Sequence, residues 1–299
     1  MAGMTVLGFL IGLILNSLDQ YIYRFFEGIQ FWPDSIWWRQ YRRELKNYEV
    51  LDSKLKSDED ELKLKIEKLN SDLDAKEKAK IEEEIKKLNI NLLNYSRKIR
   101  NYPYDPEEKF RTKRRPAECT NLGNVIAEYE NYPKEQYGMD FNVFWYHLWQ
   151  TMPKEVRDEI DISSAKADFL VYFSFIFLLT APFSILKAFF ERDAIYTYIQ
   201  SSVHFNHYYL CLFIEFILQA ACFLLISYLF YKISVVAHKN YGRYIKSAFD
   251  IYRIGLSTKT GILIPLCPNK VERGVWIEYG KFLEDYKELQ QYEFRKRIK

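Results

Sequence analysis

The four cysteines of this 299-residue chain, Cys119, Cys211, Cys222 and Cys267, lie far apart and form no C-x-x-C pair. Their spacing excludes a zinc ribbon, a thioredoxin-type redox motif and a disulfide scaffold. Also missing are a phosphate-binding P-loop, G-x-S-x-G, H-E-x-x-H, G-x-G-x-x-G and the protein-kinase set, so no nucleophile, base and ligand can be assembled into a reaction centre. The chain is therefore expected not to be an enzyme and to use no cofactor or metal. His204 and His207 form an H-x-x-H, but no acid stands nearby to complete a metal site, and interfacial histidines are the simpler reading. A strong charge of one sign is lacking as well: the formal net charge is +3, which rules out a strongly polyanion-seeking protein.

What the chain has is segregation. Its 48% apolar and 28% charged residues fall in separate blocks, and the mean hydropathy of −0.29 hides them by averaging. Phe169 to Phe190 is twenty-two residues whose only formal charge is Lys187, and Tyr208 to Phe230 is equally apolar with one acid, Glu215. A helix of about 20 such residues spans a hydrocarbon core of roughly 30 Å. Near the N-terminus, Thr5 to Leu15 is apolar, and Leu18, Tyr21, Ile22, Phe25 and Phe26 continue the pattern past Asn16 and Asp19. No basic residue precedes this run and no A-x-A site follows it, which favours a retained anchor over a cleaved signal.

Lysine and arginine bias orients the three spans. None lies in Met1 to Thr5, whereas Arg24, Arg39, Arg42, Arg43 and Lys46 follow span one. Arg192 stands alone between spans two and three, and Lys232, Lys239, Arg243 and Lys246 follow span three. The expectation is a multi-pass protein of the cell (inner) membrane, with the N-terminus outside and the C-terminus in the cytosol. Trp32, Trp37, Trp38, Tyr208 and Tyr209 mark the boundaries, where amphipathic rings settle at headgroup level.

Between Arg39 and Arg115 lie 22 Lys or Arg and 17 Asp or Glu, a net of +5 within 77 residues. The apolar residues Leu62, Ile66, Leu69 and Leu73, and then Ile81, Ile85, Leu88, Leu92, Tyr95 and Ile99, step alternately by three and four, the spacing of a coiled-coil seam. The step of eight between Leu73 and Ile81, with a D-x-x-E helix start at Asp74 and Glu77, predicts two antiparallel helices joined near Ser71 to Lys76. One long helix with a local change in winding is the alternative. Beyond Pro103 and Pro106, the run Arg111, Lys113, Arg114 and Arg115 is a solvated face or a contact for anionic lipid headgroups. Nucleic acid is the less favoured polyanion for a membrane protein.

In the connector, NLGNVIAEYENYP reads as a short helix stopped by Pro133. Phe141, Phe144, Trp145 and Leu148 then form an aromatic stripe that suits a core or an interfacial helix equally. Ile245, Phe249, Tyr252 and Leu256 carry a helical face beyond span three, Gly255 can end it, and a last helix starts near Asn269. The N-terminal anchor followed by RFFEG, the connector TNLGNVIAEYENYPKEQYGMDFNVFW and the tail YGRYIKSAFDIYRIGL resemble uncharacterised multi-pass membrane proteins of prokaryotes. The resemblance covers the ends and the connector, not the charged block. It implies a membrane fold and a bacterial or archaeal origin, and it carries over no activity and no site residue.

The expected fold is all-α: an integral membrane protein with three transmembrane helices, a cytosolic coiled-coil hairpin and small cytosolic helical segments. Its segments are an anchor over 1–30, the charged hairpin over 39–101, a connector over 102–166, a transmembrane hairpin over 167–236 and a helical tail over 237–299. Ionisable and amide groups inside such spans are costly and therefore informative. Glu215 and Gln219 share a face of span three, Lys187 lies within reach of Glu215 for an interhelical pair, and Asn16 and Asp19 mark a polar stripe on span one. Gly8 and Gly12 form a G-x-x-x-G along the same row as Asn16, a helix-packing surface for spans two and three or for another subunit. The expected partners are the bilayer, further copies or other membrane subunits, and anionic lipid. The expected function is a non-enzymatic scaffold or subunit of an oligomeric complex, with an ion-conducting or membrane-permeabilising effector as the alternative.

Overall fold

Long runs without a helix breaker become long helices. The computed structural model describes residues 2–70, 74–99, 102, 118–198, 205–264 and 270–298, and among them there is no strand. Eight helices follow in order: α1 (Ala2–Glu27), α2 (Asp34–Leu69), α3 (Ala75–Ile99), α4 (Asn121–Tyr137), α5 (Phe141–Trp149), α6 (Lys154–Tyr198), α7 (Phe205–Thr260) and α8 (Lys270–Ile298). Two of them are long and apolar enough to cross a membrane, within Lys154–Lys187 and Ile214–Thr260. The break between α2 and α3 falls where the step of eight interrupts the seam.

The chain divides into two compact units, one of Met1–Arg24 with Glu159–Tyr241 and one of Phe25–Asp158 with Gly242–Lys299. The first unit is built from α1, most of α6 and the N-terminal part of α7. Small residues let α6 and α7 close on one another: the Ser174 hydroxyl donates to the Ser227 carbonyl at 3.0 Å, and Ser227 returns the bond to the Ser174 carbonyl at 2.8 Å. Both serines are buried, so each polar side chain is satisfied by the facing backbone. Phe177 stacks on Phe230 with ring centroids 5.7 Å apart, and Phe173 lies 5.5 Å from Phe230.

In the second unit α2 and α3 run side by side. Lys65 meets Glu84 at 2.8 Å, and Tyr102 donates to Glu44 at 3.1 Å, so the two arms pair in opposite directions. On α3 the seam follows the expected residues, with Leu88 buried and Ile81, Ile85, Leu92 and Tyr95 half-buried. On α2 it departs by one residue. Tyr48, Leu51, Leu55, Leu62 and Leu69 line the inner face together with Lys65, and Ile66 is turned out, 45% exposed. The upstream residues set the phase, and at that turn the inner position is occupied by the aliphatic stem of Lys65, whose ammonium reaches out to Glu61 and Glu84.

The connector and tail depart from expectation in two places. Helix α4 does not stop at Pro133 but continues to Tyr137 and ends at Gly138, whose φ of 76° supplies the left-handed cap. Pro133 and Tyr137 are buried, and that packing offsets the backbone bond a proline cannot donate. Helix α7 likewise passes through Gly255 and closes at Thr260, followed by Gly261 at φ 71°. Gly255 is exposed and helical, a modest cost that the buried Phe249, Arg253 and Leu256 outweigh. The aromatic stripe of α5 is core: Phe144 and Leu148 are fully buried, and Phe144 meets Trp276 edge to face at 5.5 Å. At Gly242 α7 packs closely on α4, since a Cβ there would stand 2.7 Å from the Tyr129 ring.

Candidate polar sites

Polar residues one helical turn apart on α1, α6 and α7 meet in the first unit. Helix α1 contributes Asp19 and Tyr23, α6 contributes Ser164, Asp168 and Tyr172, and α7 contributes Ser234 and His238, each set at i, i+4 spacing. Tyr172 donates to Asp19 at 2.7 Å. The Tyr23 hydroxyl donates to Asp168 and also lies 3.1 Å from His238 Nε2. His238 is 2% exposed, its Nδ1 faces the Ser234 carbonyl at 2.9 Å, and Ser164 donates to the second Asp168 oxygen at 3.2 Å. The Tyr23 and His238 rings meet edge on at 5.7 Å, which holds the imidazole plane against the phenol.

Of the residues singled out in the sequence, Asp19 joins this cluster as the acceptor of Tyr172. The Lys187 ammonium stands over the Phe216 ring, 5.4 Å from its centroid, and Glu215 and Gln219 are exposed along α7. Among the described residues, a Cβ added at Gly12 would meet nothing within 4 Å. The surroundings of Gly8, the side chains of Asn16, His204 and His207, and the basic residues Arg111, Lys113, Arg114 and Arg115 lie outside the described residues. Tyr23, Asp168 and His238 carry no motif in the sequence, and the last two stand just beyond the apolar runs. Their signal was the repeated i, i+4 pairing of polar residues at the ends of three apolar helices.

A second polar centre holds the other unit together. Arg253, 5% exposed, donates from Nε to Glu272 Oε1 at 2.9 Å, and its guanidinium lies 4.3 Å from the Tyr137 ring centroid. Glu272 also accepts from the Trp276 indole at 3.3 Å. The Asp250 carboxylate accepts from Tyr132 at 2.8 Å and from Tyr137 at 2.6 Å. Burial first, and then the bond to Asp250, pushes the Tyr137 hydroxyl up to about 12, and Tyr132 is raised for the same reasons. Lys246 pairs with Glu128 and covers the Tyr132 ring at 5.4 Å. Arg253, Asp250 and Lys246 of α7 each meet a partner on α4 or α8, which ties the three helices together.

Among the described residues no group of three His, Cys, Asp or Glu side chains could hold a metal ion. Cys119 is buried with its thiol 3.1 Å from the Gly28 carbonyl, and Cys222 is exposed. No family model, no curated protein and no solved structure matches the chain.

Proposed function

We propose that the chain is a non-enzymatic integral membrane scaffold, or a subunit of an oligomeric membrane complex, which presents α2 and α3 to partners as a cytosolic coiled-coil hairpin. The observation that carries this reading is the exposure of the apolar helices. Only 22% of the most apolar window in α6 is buried, and the same share in α7. Phe183, Leu218 and Leu225 are 65, 64 and 58% exposed, where the core helix of a water-soluble protein would cover such residues. A bilayer covers them without any further protein. Helix α1, 26 residues and about 39 Å long, has the length for a third span. Its open surface at Gly12 suits contact with a further subunit.

Glu215 and Gln219 favour a second reading, an oligomeric ion-conducting or membrane-permeabilising effector gated by the cytosolic part. They are exposed four residues apart on an apolar helix, which in a bilayer calls for a polar neighbour or water. Three helices would need several copies to surround a pore. One experiment separates the readings: membrane fractionation with alkaline carbonate washing, followed by native mass measurement and imaging of the detergent-extracted protein. The scaffold reading expects a carbonate-resistant membrane protein with asymmetric partners, and a closed ring with Glu215 at its axis favours the pore. Release into the soluble fraction by carbonate overturns both.

A further inference from the structure

The Tyr23 oxygen stands between two groups on different helices, the Asp168 carboxyl on α6 and His238 Nε2 on α7. The other imidazole nitrogen, Nδ1, faces the Ser234 carbonyl, which can only accept, so Nδ1 carries a hydrogen. A phenol has one hydroxyl proton, and that proton can serve either Asp168 or His238 but not both at once. The other contact needs a second proton, held either on Nε2 as imidazolium or on Asp168 as carboxylic acid. We propose that Tyr23, Asp168 and His238 form a proton-binding site that is complete only when it holds one proton more than a carboxylate, a neutral phenol and a neutral imidazole supply, and that this proton controls how α1 is tied to α6 and α7.

The proton count closes in both forms of the loaded site. In one, Nε2–H donates to the Tyr23 oxygen and the Tyr23 hydroxyl donates to Asp168, so an imidazolium is balanced by a carboxylate. If the Nε2 proton passes to the Tyr23 oxygen while the tyrosine proton passes to Asp168, the site becomes a neutral imidazole and a neutral acid. Both forms hold the same protons and the same net charge of zero. Removing the extra proton leaves one negative charge beside an imidazole that is 2% exposed, and two lone pairs face one another across one contact. The Tyr23 hydroxyl then bonds to only one of Asp168 and His238.

Burial disfavours an imidazolium at His238, whereas the Ser234 carbonyl and the Asp168 carboxylate favour it. On α6 the Ser164 hydroxyl already donates to the second Asp168 oxygen, and on α7 Ser234 offers only its carbonyl to the ring. The neighbouring titratable pair is Asp19 on α1 with Tyr172 on α6. The inference concerns a contact among three helices and stands apart from the scaffold reading.

The test is nitrogen NMR of the full chain in detergent, with ring-labelled histidine and the His238 signals assigned by their loss in His238→Gln. The expected result is a His238 ring signal that titrates, with a midpoint that falls by about one pH unit or more in both Tyr23→Phe and Asp168→Asn. The amide in Asp168→Asn is close in shape to the acid and donates its own hydrogen to the Tyr23 oxygen, so it completes the contact without an extra proton. Thermal melts of each variant report that it folds, and Asp168→Asn decides alone if Tyr23→Phe does not. A His238 signal that is constant with pH, or a midpoint unchanged in the folded variants, overturns the proposal.

Discussion

At the scale of single residues, the Arg253–Glu272 pair separates a satisfied charge from a useful one. Both side chains are almost wholly buried, so removing one leaves the other charged and without its partner in a region of low polarity. Arg253→Met is expected to lower stability by about 3 to 5 kcal/mol, read from denaturant melts. The double variant Arg253→Met with Glu272→Leu should cost clearly less, because no charge is then stranded. A double loss equal to the sum of the single losses would show the two residues to be uncoupled. Tyr137 gives a pH dependence with a definite sign. Its folded value of about 12 lies above the ordinary 10.0, so its contribution is intact below pH 10 and is lost as pH rises through about 12. Melting temperature should fall over that window in step with tyrosinate absorbance, and Tyr137→Phe should flatten the fall.

At the scale of elements, the phase of α2 is the instructive case. The heptad read from Leu62 and Ile66 matches the helix at Leu62 and misses at Ile66, because two apolar residues three or four apart fit more than one phase of a 3.6-residue repeat. Tyr48, Leu51 and Leu55 supply the longer frame, and that frame puts Lys65 inside. Ile66→Asp is therefore expected to leave disulfide cross-linking between cysteines on α2 and α3 of one chain intact, whereas Leu88→Asp, placed on a residue 8% exposed, should abolish it. Equal loss in both would restore Ile66 to the seam. The Lys65–Glu84 pair is open to water and should contribute little when mutated. Pro133 and Gly255 teach the same point from the opposite side. Both are local breakers, and both sit inside helices whose neighbouring residues are buried.

At the scale of the whole molecule, the open position at Gly12 leads to a prediction about assembly. With nothing within 4 Å of an added Cβ, Gly12→Cys is expected to form a disulfide-linked dimer in membranes under mild oxidation. A product that stays monomeric on gels would argue against α1 as the contact between copies. The near-neutral total charge remains a poor guide at this scale, because net +5 is concentrated over residues 39–115.

Composition and periodicity were enough to read that the chain is helical, where two long apolar runs lie and which face of α3 turns inward, but they left a hairpin and one long helix both open over the charged block. Those features follow from composition and periodicity, which act over neighbouring residues. Long-range packing sets the rest: α4 and α7 run through their breakers, Ile66 faces out, and Tyr23, Asp168 and His238 meet. Those three residues lie 145 and 215 positions apart when counted from Tyr23, and no local pattern measures such distances. Packing decides them, because a buried polar group must find its partner wherever the fold brings one.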